Sequence, residues 1–232
     1  MEHIEAIING TAKPKENIIK RVIIDLDQHL EMIKNIAKYH NGDYSFTDQI
    51  KSSSKLLLLY FTGNPKFSEA CESFSGNKGS LNKGLMLVGD IGTGKTELFN
   101  IFKMYSNQVN RANGFKYYSS GEIVDNLNII GKEYLLQFSS NEKEDGIPKP
   151  ITCYVDDIGS RSETIMHYGS KYNAMEEFLN IRYEVFRRHR KLTHISTNLY
   201  PSDIKQIYGA RIENRMKEMF NIIELKGKSF RK

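Results

Sequence analysis

Residues 89–96 read GDIGTGKT and fit the pattern G-x-x-x-x-G-K-[ST] in full. That spacing suits a loop that cradles phosphates. Glycines leave no Cβ in the way of backbone N–H groups converging on an anion, and the N-terminus of the helix that follows favours negative charge. Lys95 then reaches the β- and γ-phosphates and Thr96 becomes a ligand of Mg2+, while Gly89, Asp90, Ile91, Gly92, Thr93, Gly94 and Glu97 complete the contacts to ATP. The apolar run Gly84–Val88 before the loop and TELFNIFKMY after it supply the strand and helix it needs.

A second set of candidate groups lies further along. The apolar run ITCYV at 151–155 ends in Asp156-Asp157, where an acid of the Walker B type must sit. Asp156 suits Mg2+ through its water shell, and Asp157 suits polarisation of the attacking water, with Glu163 in reserve as the base. LTHIS at 192–196 ends in Thr197-Asn198. Two roles fit Asn198: a hydrogen bond to the γ-phosphate or the lytic water, or a cap on the turn before Tyr200-Pro201-Ser202. Neither NKGS at 77 nor NEKED at 141 supplies the N-K-x-D base-reading motif of a GTPase, and no arginine-bearing lid of a small-molecule kinase is recognisable. A hydrolase or switch that uses ATP remains.

Alternating strands and helices must position these groups. The pattern predicts strands at 84–88, 115–119, 151–155, 192–196 and 220–225, and helices at 94–109, 120–137, 172–189, 202–208 and 210–217. Such alternation gives a parallel sheet with helices on both faces and ligands at the carboxyl ends of the strands. SSNEKEDGIPKP at 139–150 is polar without an apolar period and reads as a solvated loop. Residues 1–80 form a helical N-terminal extension to the ATPase domain at 81–232. An apolar stripe (Ile19, Val22, Ile23, Leu26, Leu30, Ile33, Ala37) predicts one helix over 15–40. A second covers 47–61 and stops at Gly63, and Asn64-Pro65 opens a third that Gly76 ends. These helices either pack on the nucleotide domain or recruit a partner.

With 232 residues, a formal charge of +5 and a pI near 9.0, the chain is moderately basic, which is compatible with a nucleic-acid partner without requiring one. Cys71 and Cys153 stand apart, outside any metal-ligand spacing, as in a reducing compartment. The start MEHIEAIING lacks the basic and apolar regions of a signal peptide, and LLLLYF at 56–61 is too short to span a bilayer. A soluble, cytoplasmic protein with no membrane partner is expected.

Taken in order, GDIGTGKT, YVDDIG, NIRYEVF, THISTNLY, YGARIENRM and LKGKSF resemble the AAA+ ATPases of the DnaC-type helicase loaders and the related IstB-type transposition helpers, over residues 80–230. The resemblance implies an α/β P-loop NTPase core with a parallel five-stranded sheet of order 5-1-4-3-2 and no C-terminal lid domain. It also implies Asn198 as sensor 1, homo-oligomers with ATP between subunits, and single-stranded DNA as a ligand. In YGARIENRM, Arg215 takes the place of the arginine finger, one helical turn after Arg211. On spacing alone, Arg211, Glu213, Arg215 and Glu218 also read as a solvated helix face with ion pairs.

The densest basic cluster is Arg187, Arg188, His189, Arg190 and Lys191, with Arg182 upstream. It either complements a helix C-terminus or contacts nucleic-acid phosphates. Three functions fit: an ATPase that loads a replicative helicase, a helper ATPase of a transposase, and an ATP-gated binding module with negligible hydrolysis.

Overall fold

The structure is a computed structural model describing residues 17–42, 47–139, 142–144, 147–226 and 229. The opening MEHIEAIING, the first residues of the expected 15–40 helix, and parts of the 139–150 and LKGKSF segments lie outside the described residues.

Five strands form the central sheet: β1 (Gly84–Val88), β2 (Lys116–Ser119), β5 (Cys153–Ile158), β8 (Thr193–Thr197) and β9 (Phe220–Glu224). All neighbours pair in parallel, in the order β2-β5-β8-β1-β9. Counted along the chain, that is the expected 5-1-4-3-2. β1 and β8 are buried at every residue, as strands covered on both faces must be.

Alternate residues of β1 serve two cores. Leu85 and Leu87 join α1 (Leu26–His40), α2 (Asp48–Phe61), α3 (Phe67–Ser75) and α4 (Lys95–Val109) on one face. Met86 and Val88 join α5 (Ser120–Ile130), α7 (Ala174–His189) and α8 (Pro201–Met219) on the other. The first core packs Ile33, Leu57, Phe61 and Phe67 with Phe99, Phe102 and Phe115. The pattern change at residue 80 is therefore no gap in packing, because the early helices close one face of the sheet.

Several elements differ from expectation for identifiable reasons. Helix α1 starts at Leu26, where Asp25 accepts from the Gln28 N–H at 2.9 Å as its N-cap. The β-branched stretch before it is irregular and bonds elsewhere, with the Ile19 N–H reaching Leu81 O and the Val22 N–H reaching Thr62 O. Ile19 is buried by this path while Ile23 is exposed, so the stripe is not one helix face. Asn64 caps a turn by accepting from the Lys66 N–H at 3.0 Å, and α3 begins only at Phe67. Gly131 (φ 84°) ends α5, and a 3-10 turn and the short α6 (Leu136–Ser139) complete the expected 120–137 helix. The polar 139–150 segment holds an antiparallel hairpin, β3 (Glu142–Glu144) with β4 (Ile147–Lys149). A second hairpin, β6 (Thr164–His167) with β7 (Ser170–Asn173), precedes α7. The two helices expected at 202–208 and 210–217 are halves of α8, kinked at Gly209 (φ 81°, ψ 166°). No helix among the described residues is long and apolar enough to cross a membrane.

Arg182 belongs to the interior, not to the basic surface cluster. It is fully buried, and its guanidinium donates to Thr193 Oγ1 and to the carbonyls of Phe138, Ile151 and Leu192 at 2.7–2.9 Å, tying α7 to the amino ends of β5 and β8.

His194 is also fully buried, among the rings of Tyr60, Phe61, Phe99 and Phe115, and its Nδ1 accepts from the Leu85 N–H at 3.1 Å. Burial, with a smaller contribution from Arg182, pushes its pKa down from 6.5 to about 3. A depressed histidine pKa stabilises the fold above the unfolded value, and that stability is lost as pH falls from 6.5 toward 3, because the unfolded chain binds the proton first. At pH 5 the loss is ~2 kcal/mol. Urea unfolding at pH 7 and pH 5 should show this loss in the wild type and not in His194→Gln. Equal pH dependence in the two proteins would contradict it.

Candidate nucleotide-binding site

The loop after β1 turns at glycines that nothing else could replace without strain. Gly89 (φ 154°) sits where a Cβ would lie 2.4 Å from Leu225 O, and Gly94 (φ 88°) is the left-handed N-cap of α4. Thr93 Oγ1 donates to Asp90 O at 2.9 Å and closes the turn. Asp90 and Ile91 stand exposed at the loop tip.

Lys95 is 6% exposed, and its ammonium donates to Gly89 O (2.6 Å), Asp90 O (2.9 Å) and Asn198 Oδ1 (2.7 Å). Asn198 in turn places Nδ2 3.4 Å from Asp157 Oδ1. A cation, an amide and a carboxylate thus form one chain across the carboxyl ends of β1, β8 and β5. Beside it, Thr96 Oγ1 donates to Asp156 Oδ1 at 2.8 Å.

The two acids are held differently. Asp156 Oδ1 lies 2.5 Å from both Tyr154 Oη and Ser196 Oγ, so strand residues fix its carboxylate. Burial first, then the Asp156 charge, pushes the Tyr154 phenol well above its ordinary pKa, so it stays a donor. Asp157 adopts φ 61°, at a register shift between Val155 and Ile158. Ser196 Oγ accepts from its N–H at 2.9 Å and Ser120 Oγ donates to its carbonyl at 2.9 Å. Left-handed backbone is uncommon outside glycine, and here it turns the second acid out of strand alternation toward Asn198.

Tyr154 and Ser196, which hold the Asp156 carboxylate, are positions that motif reading misses. Their signal is the strand period of two, which puts Tyr154 and Asp156 on one face of β5 and His194 and Ser196 on the same face of β8, with Asn198 just past its end.

Other candidates lie elsewhere. Glu97 is engaged by His40, whose Nδ1 is 2.8 Å from Glu97 Oε1, which links the end of α1 to the first turn of α4. Glu163 is buried with both oxygens used, accepting from the Gly159 N–H (2.8 Å) and the Tyr208 hydroxyl (2.6 Å). Burial raises its pKa, and the tether to α8 makes it a brace rather than a base. Arg215 makes its contacts on α7, 4.5 Å above the Tyr183 ring and bonded to Asn180 Oδ1.

The donors fit the groups expected here. A hydroxyl and a carboxylate are hard oxygen ligands suited to Mg2+. Among the described residues no cluster of three or more His, Cys, Asp or Glu gathers, so phosphate and water would complete the coordination.

A P-loop after the first strand of a parallel 5-1-4-3-2 sheet, with an amide just past the tip of the fourth strand facing the P-loop lysine, is a P-loop NTPase fold in the strand order that the resemblance to the AAA+ ATPases implies. This chain has that fold. No protein-family model and no curated protein matches the sequence. Similar solved structures include DnaI, at 21% identity over 64% of this chain and 73% of that one, with a TM-score of 0.46. A putative primosome component from Streptococcus pyogenes serotype M3 is 17% identical over 82% and 87%, with a TM-score of 0.49. The DnaC helicase loader is 16% identical over 80% and 95%, with a TM-score of 0.49.

Proposed function

We propose that this chain is a Mg2+-dependent AAA+ ATPase of DNA metabolism that loads a replicative helicase and binds single-stranded DNA. The observation that carries the ATPase reading is the Lys95–Asn198–Asp157 chain beside the Thr96–Asp156 pair. Bound phosphates would take over the Lys95 ammonium from the carbonyls it now meets, which leaves Asn198 to report the γ-phosphate to Asp157. Asp157 then orients the attacking water. Mg2+, held by Thr96 and through water by Asp156, would neutralise charge on the phosphates. A cavity of about 440 Å3 bordered by Val88, the residue before the P-loop, and by Tyr200, Pro201 and Glu224 would suit the base, with Tyr200 as a stacking face.

The loader reading draws on the sequence motifs, and the transposase-helper reading shares them. Identifying the protein that co-purifies with the full chain, a helicase or a transposase, separates the two. In either case Arg215 would act on the ATP of a neighbouring subunit, held ready by its stack on Tyr183 and its bond to Asn180. Arg215→Ala should keep nucleotide affinity and lose turnover by ~10³-fold. Mixing it with Lys95→Ala under assembling conditions should restore part of the activity, since one mixed interface pairs an intact P-loop with an intact arginine. A mixture as inactive as its parts, with both still assembled, would remove the intersubunit role.

A further inference from the structure

Glu163 is 5% exposed, and its carboxylate is met by neutral donors, the Gly159 N–H at 2.8 Å and the Tyr208 hydroxyl at 2.6 Å. Its backbone carbonyl accepts from the N–H of Ala174, the first residue of α7, at 2.8 Å. Burying a carboxylate on neutral donors is a costly way to fill space, and apolar groups of the same shape would serve stability as well. What the carboxylate adds is connection. It joins the turn that follows β5, next to Asp157 and Ile158, to the start of α7 and the middle of α8.

The place where it meets α8 matters, because Tyr208 is the last residue before the break at Gly209. Gly209 takes φ 81° and ψ 166°, a region open essentially to glycine alone. The backbone there is not helical, so the second half of α8 does not take its direction from the first by helical continuity. Its starting point is set by what holds Tyr208, and its rotation by the burial of Ile212, Met216 and Met219. Arg215 lies six residues beyond Gly209, about 9 Å along the helix. Its guanidinium is bonded to Asn180 and stacked on the Tyr183 ring, both on α7. Glu163 thus anchors both parts of the mounting of this arginine, α8 through Tyr208 and α7 through Ala174, and fastens them to the turn beside Asp157.

We propose that Glu163 and Tyr208 are positioning residues for hydrolysis in the neighbouring subunit, whose hydrogen bond sets the reach of Arg215 out of the subunit that carries it. The proposal rests on the reading of Arg215 as an arginine that acts on a neighbour's ATP. Neither residue touches the nucleotide, and both act through the helix they anchor.

Mixed assemblies of the full chain separate the two roles of a subunit. Lys95→Ala supplies an arginine without a working P-loop, and Arg215→Ala supplies a P-loop without the arginine. Tyr208→Phe added to the arginine donor removes the hydroxyl, keeps the ring in the core and should lower the restored turnover ~10-fold. Added to the P-loop donor it should lower turnover less than about 3-fold, because Glu163 still accepts from Gly159 and no arginine of that subunit is in use. A loss of fold or assembly would lower both mixtures alike, so the asymmetry is specific to positioning. Substitutions of Glu163 in the arginine donor give a second test. Glu163→Gln can still accept from Gly159 and can donate to the Tyr208 oxygen, so it should stay within about 3-fold, whereas Glu163→Ala should lose ~10-fold. Equal turnover with and without Tyr208→Phe in the arginine donor, or equal losses from either donor, would overturn the proposal. No restored turnover from Lys95→Ala and Arg215→Ala alone, with both assembled, would instead remove the intersubunit reading and this proposal with it.

Discussion

Lys95→Ala is expected to lose Mg-ATP affinity by ~100-fold or more. The ammonium is nearly buried and meets two loop carbonyls and Asn198, so it is the cation positioned to meet phosphate oxygens in the cradle. Charge-assisted hydrogen bonds of this kind contribute ~1.5–3 kcal/mol each, and a methyl group replaces none of them. Calorimetric titration of Mg-ATP measures the change directly. Micromolar affinity in the variant would place nucleotide binding elsewhere.

The largest stability effect is expected at Arg182. Its guanidinium is the donor to Thr193 Oγ1 and to the Phe138, Ile151 and Leu192 carbonyls, with no water-exposed surface of its own. Arg182→Met fills much of the volume but leaves these acceptors without that donor, at a cost of ~3–5 kcal/mol. Urea unfolding should show a lowered midpoint with an unchanged slope. A loss under about 1 kcal/mol would mean that water or a rearrangement replaces the donor.

What could be read from the sequence follows from how local each signal is. The P-loop is one contiguous pattern, and its loop, strand and helix stand where the pattern puts them. The positions of Asp156 and Asn198 were also legible, Asp156 because it follows the apolar run ITCYV and Asn198 because the β-branched LTHIST before it reads as a strand. Asp157 could be named but not its conformation, since the left-handed turn arises from the shift between β5 and β8. Arg182 misled because it shares a helix with exposed arginines, and only tertiary packing sets the carbonyls around it. The hairpins escaped for the opposite reason: β3 with β4 and β6 with β7 are short and carry many polar residues, and their cross-strand pairing leaves no apolar alternation to detect. The irregular stretch before α1 mimicked a helix stripe, and its true partners, Leu81 and Thr62, are distant in sequence.

The most direct test of a nucleotide site that also hydrolyses compares wild type with Asp157→Asn in two readouts, Mg-ATP affinity and steady-state turnover. The amide keeps the size of the side chain and its approach to Asn198 but cannot accept the proton of the attacking water. Affinity should stay within about 3-fold while turnover falls by ~100-fold or more. Turnover equal to wild type, with binding intact, would contradict a catalytic Asp157 and the hydrolytic geometry built around Lys95, Asn198 and Asp157.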